Sequence, residues 1–113
     1  MIGITVHVLD TALGVPARGI RLKLSAVTSA GEWETLGVQE TNDDGRTPDL
    51  LGGRPLEART YKLAFETAAY FKASGRSTFY PYVEVIFRVQ APEQHHHVPL
   101  LLSPYGYSTY RGS

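Results

Sequence analysis

All four histidines of this chain fall in segments that alternate like β-strands, His7 near the start and His95, His96 and His97 together near the end. Imidazole titrates at about 6.5, so it can take up or release a proton near neutral pH, which makes these four side chains the first candidates for acid–base work. Period-2 geometry places His95 and His97 on one face with Pro99 and Leu101, while His96 faces the other way with Val98 and Leu100. A His-x-His pair on one face could instead ligate zinc, but the sequence does not visibly supply the third or fourth protein ligand that zinc needs. The plainer reading of His7 by itself is a hydrogen-bonded, partly buried strand residue. Arg46 has the most suggestive setting of the cations. It follows Thr41-Asn42-Asp43-Asp44-Gly45, where short polar side chains cap their own backbone and Gly45 suits a positive φ. Such a turn fixes the direction of a guanidinium, whose planar fork of donors matches a planar anion or carbonyl. The plainer reading is a solvated loop charge. The segment Ser103–Ser113 combines three tyrosines, one arginine and small turn residues directly after the apolar run Val98–Leu102. It reads as a strand or hairpin that packs somewhere specific, with Tyr110, Arg111, Gly112 and Ser113 either frayed or forming the wall of a pocket.

Short strands must position these residues. Ile4, Val6 and Val8 alternate with Thr5, His7 and Leu9, so His7 points away from the apolar face. A turn over Asp10–Pro16 leads to a second strand, in which Ile20, Leu22, Leu24 and Ala26 alternate with Arg21, Lys23 and Ser25. Residues 32–41 form a third strand with weaker alternation, and residues 58–66 alternate again. Thr67 is placed to cap a short helix over 68–74, which Gly75 would end in the left-handed conformation. Val83, Val85, Phe87 and Val89 define another strand; after the Pro92 turn a long strand runs from about His95 to Leu102, and residues 105–110 return. Seven or eight strands punctuated by Gly and Pro, with one helix, predict an all-β antiparallel sandwich.

Composition narrows the function classes. A chain of 113 residues fits one domain, 1–113, and 42% hydrophobic with 19% charged residues suits a folded globule. Eleven acidic residues balance eleven basic ones without blocks of like charge, which argues against binding nucleic acid or anionic lipid. Cysteine is absent, so disulfides, thiolate metal sites and a cysteine nucleophile are excluded. No apolar run approaches the roughly 20 residues of a membrane-spanning helix, and the first residues lack the pattern of a secretory signal, so a soluble cytoplasmic protein is expected.

Taken in order, His7–Gly14, Thr41–Arg46, His97–Pro104 and Tyr107–Ser113 resemble the transthyretin-related proteins that are 5-hydroxyisourate hydrolases. The terminal Tyr-Arg-Gly-Ser is the most specific block, because within the wider superfamily it separates the hydrolases from the hormone carriers. The resemblance implies a prealbumin-like sandwich of eight strands and a short helix. It also implies a homotetramer, a dimer of dimers, with active sites at the dimer–dimer interface and the tail tyrosines buried against a neighbouring subunit. The family's catalytic residues match His7, Arg46 and His97, and its substrate-binding tail matches Tyr110, Arg111, Gly112 and Ser113. The position before the catalytic histidine, often tyrosine in the family, is His96 here, which is expected to alter packing more than chemistry. The alternative is that His95 or His96 acts in place of His97. The implied reaction is hydrolysis of 5-hydroxyisourate to 2-oxo-4-hydroxy-4-carboxy-5-ureidoimidazoline in urate catabolism, with no metal or organic cofactor. Two competing readings are a non-catalytic carrier of a small aromatic ligand and a structural sandwich with zinc at His95 and His97.

Overall fold

A computed structural model of the chain describes residues 2–113. In chain order the elements are β1 (Ile4–Asp10), β2 (Val15–Pro16), β3 (Arg21–Val27), β4 (Trp33–Glu40), β5 (Thr60–Phe65), α1 (Thr67–Ala73), β6 (Val83–Arg88), β7 (His96–Ser103) and β8 (Gly106–Thr109). They build two four-stranded sheets, in the orders β2-β1-β7-β8 and β4-β3-β5-β6. Alternation along each strand sends one set of side chains between the sheets. Ile4, Val6 and Val8 of β1 and Leu100 and Leu102 of β7 join Leu22 and Leu24 of β3 and Leu63 and Phe65 of β5 in one buried cluster. Removing this apolar surface from water is the main term holding the sheets together.

The sandwich matches the expectation from strand count, with four local differences. β1 and β7 run parallel, in the register Ile4↔His96 through Asp10↔Leu102, whereas an all-antiparallel arrangement was expected. Alternation specifies a strand's face and not its direction, so the pattern could not reveal this. Asp10 is the last, fully buried residue of β1 and not the first of the turn. β2, two exposed residues pairing with the end of β1, is too short to have a period. Thr67 lies inside the first turn of α1, and its hydroxyl donates to the Tyr80 carbonyl at 2.9 Å instead of capping the helix. Gly75 does follow the helix with φ of 71°, as its position requires. β4 is an exposed edge strand opposite a register shift at Leu24/Ser25, which accounts for its weak alternation.

His7 and His97, predicted from the sequence as site residues, lie on the outer face of the β2-β1-β7-β8 sheet. β1 buries Ile4, Val6, Val8 and Asp10 inward and leaves Thr5, His7 and Leu9 half-buried on the opposite side.

Candidate active site

One strand pair and two isolated bridges bring the sequence-predicted residues together. In the parallel β1–β7 ladder Thr5 lies opposite His97, and His7 lies opposite Pro99. Residues facing each other across a ladder share a face, so His7 and His97 are diagonal neighbours on the outer side, on the order of 8 Å apart at Cα from strand spacing and rise. On the other flank of β1, His7 forms an antiparallel bridge with Arg46, and the Val8 amide donates to the Gly45 carbonyl at 2.8 Å. On the far flank of β7, His97 bridges Gly112, whose amide donates to the His97 carbonyl at 2.8 Å. Arg46, His7, His97 and Gly112 thus lie across one sheet face, although they are scattered along the chain.

The turn before Arg46 is built as its composition implied. The Asn42 side-chain oxygen accepts from the amides of Asp44 at 2.9 Å and Arg46 at 3.0 Å, and the Asn42 amide donates to the Arg46 carbonyl. Gly45 is required twice over. Its φ is +73°, and a Cβ there would stand 2.3 Å from the Val8 carbonyl oxygen, so any side chain would push the turn off β1. Gly112 is required by close approach instead. A Cβ at that position would lie 2.6 Å from Cδ2 of His97 and 3.3 Å from Cγ of Pro99, so the bare backbone of Gly112 forms the floor on which the His97 ring rests.

A feature that sequence reasoning missed sits beside His97. The Thr5 hydroxyl is 2.9 Å from Nδ1 of His97 and 2.9 Å from Nε2 of His95, while the Gly3 amide donates to Nδ1 of His95 at 3.0 Å. Alternation did place Thr5 on the face of His7, but only the parallel register sets it opposite His97.

Burial lowers the pKa of His7, and the positive charge of Arg46 lowers it further, against an opposing pull from the main chain and carboxylate of Asp44. Burial likewise lowers that of His97, helped by the charges of Arg46, His7 and His95 and opposed by main-chain hydrogen bonding at Thr5. Both imidazoles are therefore biased toward the neutral form. The Arg46 side chain is exposed, and among the described residues it forms no ion pair with a carboxylate.

The remaining predicted residues are arranged less uniformly. Tyr110 is 58% exposed, and Ser113 is exposed. The Arg111 guanidinium is held by the Gln94 side chain at 3.0 Å and the His95 carbonyl at 3.4 Å. His96 is buried on the inner face beside Val98, with Nδ1 2.8 Å from the Gln94 carbonyl, so it faces away from His97 as the alternation implied. A cleft at the sheet edge includes His97, Tyr110, Arg111 and Phe87, and His7 and Arg46 do not line it. Among the described residues no group of three or more His, Asp or Glu side chains has metal-binding geometry. His95 and His97 each turn a ring nitrogen to the Thr5 hydroxyl.

The HIUase/Transthyretin family matches residues 4–112. The 5-hydroxyisourate hydrolase of Mus musculus is 50% identical over 111 residues, covering 97% of this chain and 94% of the mouse protein. The structure of Klebsiella pneumoniae 5-hydroxyisourate hydrolase superposes with a TM-score of 0.85 at 37% identity, covering 97% of this chain and 98% of the other. Sea bream transthyretin in complex with thyroxine superposes with a TM-score of 0.90 at 32% identity, covering 96% and 93%. With that match, those identities and a sandwich of the same architecture, the chain belongs to the HIUase/Transthyretin family.

Proposed function

We propose that this protein is a hydrolase that opens the ring of 5-hydroxyisourate, adding water to a ring carbonyl and breaking the adjacent C–N bond. The observation that carries this reading is the placement of His7, His97 and Arg46 on one sheet face, with both imidazoles biased neutral by burial and by the guanidinium. A neutral imidazole can take the proton that water loses during attack, which is typically worth about 10²–10⁴ in rate. Charge builds on the carbonyl oxygen in the same step, and the Arg46 guanidinium, with no carboxylate partner among the described residues, stabilises it. Tyr110 to Ser113 would close one wall around the planar substrate. The carrier alternative is less well supported: the mouse hydrolase is 50% identical and the thyroxine-bound transthyretin 32%, and the face carries titratable groups where a carrier favours apolar area.

The reading extends to assembly and context. An open face with Tyr105, Tyr107 and Tyr110 exposed beside it is half of an enclosure, and a homotetramer with paired faces would complete it. The protein is then a single-domain cytoplasmic enzyme of purine catabolism, with 5-hydroxyisourate as its small-molecule partner. The test is decay of the ultraviolet absorbance of freshly made 5-hydroxyisourate. Wild type should accelerate it; Arg46→Ala and His97→Ala should each lose about 10²-fold or more in kcat/KM. Wild-type rates in both variants would overturn the assigned roles, and size-exclusion chromatography showing only monomer would overturn the paired-face enclosure.

A further inference from the structure

The Thr5–His95–His97 chain decides what each histidine does. A neutral imidazole carries one N–H, and a main-chain amide can only donate. Because the Gly3 amide donates to Nδ1 of His95, the proton of neutral His95 resides on Nε2 and points at the Thr5 hydroxyl. The hydroxyl accepts that bond, which leaves its single proton free to be given to Nδ1 of His97. With that donation Nδ1 of His97 is an acceptor, and the proton of the neutral ring sits on Nε2, the nitrogen not engaged with Thr5. The Gly3 amide fixes the first two bonds; the third is a donation by Thr5 because no other acceptor for its hydroxyl proton stands within reach among the described residues, although the oxygen's second lone pair could otherwise accept an N–H from His97.

We propose that Thr5 and His95 are positioning residues that lock His97 in its Nε2–H tautomer, so that His97 is a hydrogen-bond donor in the reaction and His7 is the base. This rests on the hydrolase reading above. A neutral His97 cannot accept a water proton at Nε2, because that site is filled. Nor can the chain drain a proton, because it ends on an amide. In the resulting step, His7 takes a proton from water as the water oxygen bonds to the ring carbonyl carbon and the C=O pair moves onto oxygen. Arg46 and the Nε2–H of His97 hold that oxyanion. When the carbonyl re-forms and the C–N bond breaks, the proton on His7 passes to the leaving nitrogen, so His7 ends as it began and His97 stays neutral throughout. Using a neutral imidazole as an electrophile requires a depressed pKa, in keeping with the lowering of His97 by burial and by neighbouring positive charge.

The tautomer can be read directly by long-range ¹H–¹⁵N correlation NMR on the full-length protein, at a pH where its imidazoles are neutral. The expected wild-type spectrum shows His97 with an unprotonated Nδ1 and a protonated Nε2. Thr5→Val keeps the branched shape and removes the hydroxyl; it should average the two His97 nitrogens toward a tautomer mixture and lower kcat by about tenfold or more, with KM little changed. Thr5→Ser should restore both the spectrum and kcat. His95→Phe, which removes the donor that orients Thr5, should reproduce the valine variant. A Nδ1–H tautomer in wild type, or an unchanged His97 tautomer in Thr5→Val, would overturn the proposal. The spectrum needs no substrate, so a wild type that fails to turn over 5-hydroxyisourate would strike the reaction assigned above and not the tautomer.

Discussion

β1 carries two ionic sites on opposite faces, and they treat charge in opposite ways. On the inner side the fully buried carboxylate of Asp10 is saturated: Nη2 of Arg76 at 2.7 Å, the Tyr70 hydroxyl at 2.8 Å and the Leu13 amide at 3.1 Å all donate to it. Burial opposes that charge, but the hydrogen bonds from Arg76, Tyr70 and Leu13 outweigh it and hold the Asp10 carboxyl below its ordinary pKa. Three residues earlier on the same strand, His7 stands beside Arg46, whose charge has no carboxylate partner among the described residues. A buried charge must be fully paired or the fold is lost, whereas a charge that is to act on a substrate must keep its donors free. The inner cluster thus ties the turn after β1 and the end of α1 to the strand, and the outer one is left available for chemistry.

Substitutions can break that division from either side. The largest effect expected is on stability. Asp10→Ala strands Arg76, Tyr70 and the Leu13 amide, and should cost about 3 kcal/mol in urea unfolding, since Arg76 keeps some contact with solvent. If the cluster were dispensable the midpoint would not move. Next is Gly112→Ala, which must displace the His97 ring or the backbone of its own segment; kcat/KM should fall by about tenfold to a hundredfold while the unfolding midpoint stays nearly constant. An equal loss of stability would mean that the segment supports the fold and not the ring. The smallest change concerns pH. Removing the positive charge in Arg46→Gln should raise the pKa of both His7 and His97 toward the ordinary value, because Arg46 lowers both. NMR titration of their Cε1 protons should show both midpoints moving upward, and a downward or absent shift would place the guanidinium elsewhere.

The sandwich was legible because both sheets bury one face, so apolar residues recur with period 2 and turns fall on Gly and Pro. The outward direction of His7, the inward direction of His96 and the stiff turn before Arg46 follow from the same local rules. Bringing those residues to one site does not. That depends on the parallel β1–β7 register and on the bridges to Arg46 and Gly112, which are pairings between distant segments, and here the family resemblance supplied what periodicity could not. Thr5 was overlooked for the same reason. A threonine in a strand is unremarkable until its partner is known. Asp10 looks locally like a turn residue because aspartate favours turns, and only the distant Arg76 and Tyr70 make its burial tolerable.

The parallel contact between β1 and β7 joins segments separated by most of the chain, in the register Ile4↔His96. Closing so long a loop carries an entropic cost that local pairings avoid. Until it closes, His97 has neither Thr5 nor Arg46 beside it, so on the roles proposed above a chain lacking this contact has no assembled site. With those roles, turnover would report on completed folding, since it needs molecules in which the early and late strands have met.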